Sequence, residues 1–320
     1  LNRKVSLRRP GESKGESGGR MKKETEEAVS RGPEVRVLLY GVGAMGSSIA
    51  RLLLKKKGVK IVGAIDTAPE KAGRDLSEVI GARKSLGILV SNDPDILLSE
   101  VEADIAVHAT SSFLEDVYPQ LVKLIQHGVD VVSTCEELSY PYISDVDLAA
   151  KLDKLAKENG VTVLGTGINP GFVMDTLVIT LTAVCQEVRH IKVERVMDAA
   201  KRRTPFQKKI GVGLTPEEFK EKMEKNLITG HVGLQQSIAM IGNALGWHLQ
   251  KISVGPVEPI VAEGFVESDG IKIEPGNVRG LRQTAHGITD RKTSITLVFE
   301  AYVGAQEEYD SITIEGTPSI

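Results

Sequence analysis

Gly41-Val42-Gly43-Ala44-Met45-Gly46 constrains the fold of this chain more than any other stretch. It spells G-x-G-x-x-G directly after the apolar run Val35 to Tyr40 and directly before a helical pattern, the context that gives an otherwise weak motif its weight. The first glycine permits a tight turn, the second lets the backbone approach a pyrophosphate, and the third lets helix and strand pack closely, with the helix N-terminus facing the anion. Met45, Ile49, Leu52 and Leu53 form the apolar stripe expected of that helix, which closes on Lys55-Lys56-Lys57-Gly58, cations followed by a glycine.

The pattern repeats downstream. Lys60 to Ile65, Asp104 to Ala109, Val129 to Ser133 and Val161 to Gly165 read as further buried strands, with a weaker one at Gly87 to Val90. Helical patterns at about Ser112 to His127 and Asp145 to Asn159 supply crossovers, so right-handed connections stack the strands into one parallel sheet. Aromatic residues make up only 4% of the chain, so its cores are packed by Val, Ile, Leu and Ala, as in parallel sheets covered by helices. The fold class expected is α/β: a Rossmann nucleotide-binding domain over residues 34–170, followed by an α+β substrate and dimerisation domain over 171–320. The second unit is expected to open with an apolar helix, Val173 to Val184, and to hold a mainly antiparallel sheet that includes Ile191 to Val196 and Thr293 to Val303.

A chain of 320 residues suffices for two modest cores. The balance of 40 basic against 43 acidic residues argues against a nucleic-acid surface, and no apolar run approaches the length of a membrane span. A soluble protein with a small-molecule partner is expected. Cys135 and Cys185 fall in neither a disulfide framework nor a zinc-ligand spacing, which points to a reducing, cytoplasmic setting and no metal. Residues 1–33, rich in charge, Ser and Gly, read as a disordered tail; it lacks the apolar core of a secretory signal, and either organelle targeting or a translated extension before Met21 accounts for it.

Several side chains fall where chemistry is expected. Gly41, Gly43, Ala44, Met45 and Gly46 are the cofactor loop. Asp66 ends the second strand, where a carboxylate accepts the adenosine ribose hydroxyls and repels a 2′-phosphate, making NAD the first choice; Lys71 and Arg74, more simply read as solvated helix charges, leave NADP open. Thr110, Ser111 and Ser112 follow the Asp104 strand and can border the nicotinamide ribose, whereas His108, closing an apolar strand, reads as structural. Asn169 and Pro170, in Gly167-Ile168-Asn169-Pro170-Gly171-Phe172, are expected to be hinge and cofactor contact at once.

The Cys135-Glu136-Glu137 string is the most informative for chemistry. Two adjacent carboxylates follow a buried strand at the cofactor end of the sheet, and one of them is expected to point inward. A carboxylate there can take a proton from a substrate ammonium and stabilise the cationic iminium left by hydride removal. The plainer alternative is an acidic turn capping the next helix. Cys135 has no cationic neighbour to lower its pKa and is placed among the cofactor contacts as a small buried residue, not a nucleophile.

The strings G-V-G-A-M-G, A-T-S-S-F-L, S-T-C-E-E-L-S-Y-P and G-I-N-P-G-F, in this order and spacing, resemble those of 2,4-diaminopentanoate dehydrogenases and the related native amine dehydrogenases, relatives of dihydrodipicolinate reductase and homoserine dehydrogenase. The resemblance spans Val35 to the chain end. It implies reversible oxidative deamination of a primary amine to a ketone or aldehyde plus ammonia, with Glu136 or Glu137 as the acid/base residue, and a homodimer. Tyr140, Phe172, Met197, Arg203, Thr204, Pro205 and Phe206, with His231 and Gln235 near a helix from about Gly233 to Leu245, are the candidates for the substrate pocket. A second carboxylate there would suit an extra ammonium and a cation a carboxylate. Family members continue past the last sheet with a glycine-rich segment and a returning helix; this sequence starts at Leu1 and stops at Ile320, so the resemblance leads one to expect a fragment at both ends.

Two other readings keep the same first domain. A carbonyl or cyclic-imine reductase would work without ammonia, although the lysine expected of homoserine dehydrogenases at the C-E-E position is absent. A non-catalytic NAD(P)-binding protein would have no use for Glu136 or Glu137.

Overall fold

In a computed structural model, residues 34–290 and 293–320 are described; the expected N-terminal tail lies outside them. The first half alternates strand and helix: β1 (Val35–Tyr40), α1 (Ala44–Leu53), β2 (Val59–Ile65), α2 (Leu76–Ile80), β3 (Val90–Ser91), α3 (Pro94–Glu100), β4 (Ile105–His108), α4 (Leu114–Gln126), β5 (Asp130–Ser133), α5 (Val146–Asn159) and β6 (Val163–Gly165). All six strands are parallel in the order β3-β2-β1-β4-β5-β6, with the chain crossing from one half to the other between β1 and β4. That crossing is the point at which such sheets bind ligands. β1 is buried from Val37 to Tyr40 on both faces, which is why it reads as an unbroken apolar run.

The apolar stripe expected on α1 is corrected. Leu53 packs against the core and Ile49 is half-buried, but Met45 and Leu52 are 49% and 58% exposed, and the fully buried positions are Gly46, Ser47 and Ala50. The first turn of the helix lies too close to the turn after β1 for a side chain there: a Cβ on Gly46 would sit 1.9 Å from the carbonyl oxygen of Gly41. α5 starts on Asp145, whose carboxylate accepts the Leu148 N–H at 2.9 Å, and stops at Gly160 in the left-handed region. The weak strand expected at Gly87 to Val90 survives only at Val90–Ser91.

The second half runs α6 (Thr176–Thr182), β7 (Glu187–Asp198), α7 (Thr204–Lys209), α8 (Pro216–Glu224), α9 (Leu234–Ala244), β8 (Leu249–Val254), β9 (Glu258–Val261), β10 (Val266–Ser268), β11 (Ile271–Ile273), β12 (Val278–Thr289), β13 (Ser294–Tyr302) and β14 (Tyr309–Thr317). α6 is shorter than its apolar run, because residues 171–175 form turns before it. The large sheet has the order β14-β7-β13-β12-β8, with β9 extending β12; its pairs are antiparallel except β7 with β13. Leu234, Ile238 and Ile241 of α9 join Ile191, Leu281, Ile295 and Leu297 of the sheet in one core. α9 also reaches back to the first half: Gln236 donates to Ser144 Oγ at 2.8 Å, and Pro170 lies against Gly233.

Candidate active site

The carboxyl ends of β1, β4 and β5 face the second sheet across a cleft of about 590 Å³. From the first half it is lined by Met45, Ala109, Thr110, Ser111, Ser112, Thr134 and Glu136, and from the connecting turn by Gly167, Ile168, Asn169 and Pro170. Its other wall includes Met197, Phe206, His231 and Phe299.

The glycine turn fits a dinucleotide. Gly41 has φ +94°, and a Cβ there would strike the Ala109 carbonyl at 2.4 Å, whereas a Cβ on Gly43 would meet nothing within 4 Å, leaving its backbone open to approach. Asp66 braces this turn from within: its carboxylate accepts the Val42 N–H at 2.8 Å, the Ala68 N–H at 3.0 Å and the Lys71 ammonium at 2.8 Å. Burial alone would raise the Asp66 carboxyl, but Lys71 and the two backbone donors outweigh it and hold it below the usual carboxylate range. Lys71 is therefore no solvated helix charge, while Arg74 pairs with Glu78 at the surface.

His108 is fully buried, with Nδ1 2.9 Å from Ser133 Oγ and Nε2 2.7 Å from Gln120 Oε1. Burial pushes its pKa down although the bond to Gln120 opposes this, so the ring is a neutral strut linking β4, β5 and α4. The structural reading of His108 agrees with that environment, and its partners come from elements the local sequence does not display. Thr110 donates to Gln120 Oε1 at 2.8 Å and Ser111 to Asp116 at 2.7 Å, so both line the cleft with their hydroxyls already oriented.

The two glutamates separate by environment. Glu137 turns away from the cleft and accepts the Leu114 N–H at 2.7 Å, satisfying a donor at the start of α4, a helix with no side-chain cap at its own N-cap residue. Glu136 lines the cleft. Cys135 is 1% exposed in the core beneath, where burial raises its thiol to about 11; its side chain does not reach the cleft, so only its backbone is left for the cofactor role expected of it.

Of the expected pocket residues, Met197, Arg203, Pro205, Phe206 and His231 line the cleft. Thr204 and Gln235 are exposed outside it, Phe172 is half-exposed, and Tyr140 instead packs edge-on against Tyr142, their ring centroids 5.3 Å apart. The sequence reading missed Arg195, Arg202 and Lys209, which also line it. The basic pairs Arg202-Arg203 and Lys208-Lys209 flanking Pro205-Phe206 were the available signal. Arg195 is fixed by both carboxylate oxygens of Asp310, at 2.9 and 3.0 Å, whereas Arg203 and Lys209 have no ion-pair partner among the described residues.

His231 stacks on Phe299, with ring centroids 4.5 Å apart and planes 14° from parallel, while its backbone N–H donates to Gln283 Oε1. Burial, then the nearby Lys209 and Arg195, lower its pKa to about 4. Its Nε2 is buried without a hydrogen-bond partner among the described residues, as are both amide atoms of Asn169. Such orphaned atoms in a cleft are groups that a ligand can satisfy.

A parallel sheet with an open glycine turn at its switch point, facing a cleft with one carboxylate and a mixed sheet behind it, defines an NAD(P)-dependent oxidoreductase of the two-domain Rossmann type. Residues 35–163 match the family model for the dihydrodipicolinate reductase N-terminus, and residues 172–320 that for the 2,4-diaminopentanoate dehydrogenase C-terminal domain. Over 292 residues, 90% of this chain and 82% of its relative, the chain is 34% identical to the 2,4-diaminopentanoate dehydrogenase of Acetoanaerobium sticklandii. The chain belongs to the 2,4-diaminopentanoate dehydrogenase family. The solved amine dehydrogenase of Mycobacterium smegmatis superposes with a TM-score of 0.76 at 30% identity, covering 90% of this chain and 85% of that one. GenD2 from gentamicin A biosynthesis, solved with NAD, shares the fold at a TM-score of 0.56 and 15% identity, over 89% of this chain and 71% of its own.

Among the described residues no helix is long and apolar enough to cross a membrane, and no group of three or more His, Cys, Asp or Glu is placed to hold a metal ion.

Proposed function

We propose that this chain catalyses the reversible, NAD(P)-dependent oxidative deamination of a primary amine that also carries a carboxylate, giving the oxo acid and ammonia. One observation carries the reading: among the described lining residues Glu136 is the single carboxylate, set in a cleft whose other charged side chains, Arg195, Arg202, Arg203 and Lys209, are all cations. The carboxylate suits the amine end of a substrate and the cations suit an anionic end. The cofactor loop is Gly41 to Gly46, with Thr110, Ser111, Ser112, Asn169 and Pro170 beside it, and the cofactor and substrate halves divide at Pro170 and Gly171.

When bound, the nicotinamide accepts the hydride from the amine-bearing carbon or returns it. Glu136 takes a proton from the substrate ammonium, freeing the nitrogen lone pair that drives the hydride out. The same carboxylate then lies beside the iminium and offsets its positive charge. Water adds to the iminium carbon, Glu136 relays a proton to the nitrogen, and ammonia leaves as the carbonyl forms. His231, held neutral, offers Nε2 as an uncharged partner to a polar group of the substrate. Thr204, Tyr140 and Phe172 have no part in this reading.

A homodimer and a cytoplasmic setting belong to the same reading; the two free thiols support the latter, and mass measurement in solution tests the former. The deciding assay follows NADH and NADPH oxidation with a panel of oxo acids and simple ketones, with and without ammonium. Turnover that requires ammonium and favours oxo acids is expected. Turnover without ammonium would make the chain a carbonyl reductase, and equal use of simple ketones would remove the carboxylate subsite.

A further inference from the structure

A carboxylate at the end of the second Rossmann strand selects NAD by accepting the two ribose hydroxyls and repelling a 2′-phosphate. Asp66 is at that place, but its acceptor capacity is largely used. A carboxylate has about four lone-pair sites. Oδ2 accepts two donors, the Val42 N–H and the Lys71 ammonium, and Oδ1 accepts the Ala68 N–H. What is left is one site on Oδ1, enough for a single hydroxyl.

The charge is cancelled as well. Lys71 Nζ is 2.8 Å from Asp66 Oδ2, and the two side chains are only 22% and 11% exposed, so solvent screens the pair weakly. The lysine is held in place: the turn from Ala68 to Arg74 closes on itself through Lys71 N to Ala68 O at 3.0 Å, and Gly73 N bonds to Val90 O of β3 at 2.8 Å. An ammonium has three donors, and Asp66 uses one of them. Among the described residues nothing else accepts from Lys71 Nζ, which leaves two donors beside the carboxylate at the end of β2, the place where this fold meets the adenosine ribose of a dinucleotide. Thr67, the residue after Asp66, is exposed. Arg74, the other nearby cation, is already engaged by Glu78 and the Glu70 carbonyl.

We infer that Lys71 is a cofactor-selecting residue: by neutralising Asp66 and presenting two free N–H donors, it lets the site take the 2′-phosphate of NADP(H) alongside NAD(H). Asp66 then acts chiefly as a brace for the glycine turn through Val42. This inference rests on the nicotinamide cofactor reading and refines which form is bound.

The test is direct binding to the full chain in the absence of substrate, with NADH and NADPH titrated separately by calorimetry or by nicotinamide fluorescence. Wild type is expected to bind the two within about tenfold of each other. Lys71→Ala should raise the NADPH-to-NADH ratio of Kd by about tenfold to a hundredfold, the range set by loss of one hydrogen bond to a charged group. Lys71→Arg, which keeps the cation and suits phosphate, should bring the ratio back toward wild type and controls for a folding defect in the alanine variant. A ratio that does not move in Lys71→Ala, including the case in which both cofactors weaken equally, overturns the inference and leaves Lys71 as a purely structural partner of Asp66. So does a wild-type chain that binds NADPH a thousandfold more weakly than NADH. Failure of wild type to bind either cofactor removes the nicotinamide reading itself, and the inference with it.

Discussion

Glu137 accepts the backbone N–H of Leu114 at 2.7 Å, and this bond ties the turn after β5 to the first turn of α4. Its immediate neighbour, Glu136, faces the cleft. The two therefore fail differently when replaced. Glu136→Gln is expected to lower kcat by about 10²- to 10⁴-fold, the usual worth of a positioned acid/base group, with an unchanged thermal midpoint. Glu137→Ala should keep most of kcat and cost about 1 kcal/mol of stability, as loss of a helix cap does. Steady-state kinetics and thermal melts of both variants decide; the opposite pattern would exchange their roles.

Gly43 and Gly46 make a similar contrast within one turn. Gly43 has φ −69° and open space around it, so Gly43→Ala should fold with a wild-type melting temperature yet weaken NADH binding by about tenfold, or ~1.4 kcal/mol, because the methyl group stands where the pyrophosphate approaches. Gly46→Ala drives a Cβ into the Gly41 carbonyl and should cost about 1–3 kcal/mol in folding before any effect on binding. Equal melting temperatures for the two would contradict this packing.

The proposed carboxylate subsite is tested at Arg203 and Lys209, the cations whose side chains have neither an ion pair nor a hydrogen bond among the described residues. Replacing Lys209 with Met and Arg203 with Ala together should raise KM for an oxo acid by about tenfold to a hundredfold while changing KM for a neutral ketone little, since charge-assisted hydrogen bonds are lost only by the former. A uniform rise for both substrates would mean that the cleft wall, and not its charge, had been altered.

His231 supplies a pH dependence of known sign. Its folded pKa of about 4 lies below the ordinary value of 6.5, so between these two values the unfolded chain binds a proton that the folded chain does not. Stability is then complete above pH 6.5 and declines as pH falls toward 4. His231→Gln should flatten that slope in denaturant titrations at pH 4.5 and 7. His108 contributes in the same direction, so the difference between variant and wild type is the readout.

Much of the first half was legible because its signals are local. A glycine turn, buried apolar strands and helix periodicity placed β1, β2, β4 and β5 to within a residue at either end, and the parallel sheet followed. The face of α1 was legible only in part. Periodicity reports large residues, and the fully buried positions of this helix are Gly46, Ser47 and Ala50. The choice between Glu136 and Glu137 depends on a backbone donor on α4, well upstream in sequence, which no local pattern displays. Arg195, Arg202 and Lys209 converge only because β7 and the turns after it wrap one cleft. As isolated positions they read as a strand residue and surface charges. Tyr140 and Phe172 failed for the reverse reason, since adjacency to a motif does not place a side chain in the pocket.

The parallel pair β7 and β13 sets the order in which this molecule can be completed. Both strands that flank β7, β13 and β14, follow it only from Ser294 onward. A ribosome-bound chain that has released β7 must hold that strand with two bare edges while everything from Ala199 to Thr293 is still being made, including most of the substrate-side wall of the cleft. Closing so long a loop before any pairing is gained slows assembly, and bare edges invite intermolecular pairing in the interval. A translation product that stops before Ser294 should therefore aggregate even though its cofactor half is intact, and the cleft is finished only after the last two strands have been synthesised.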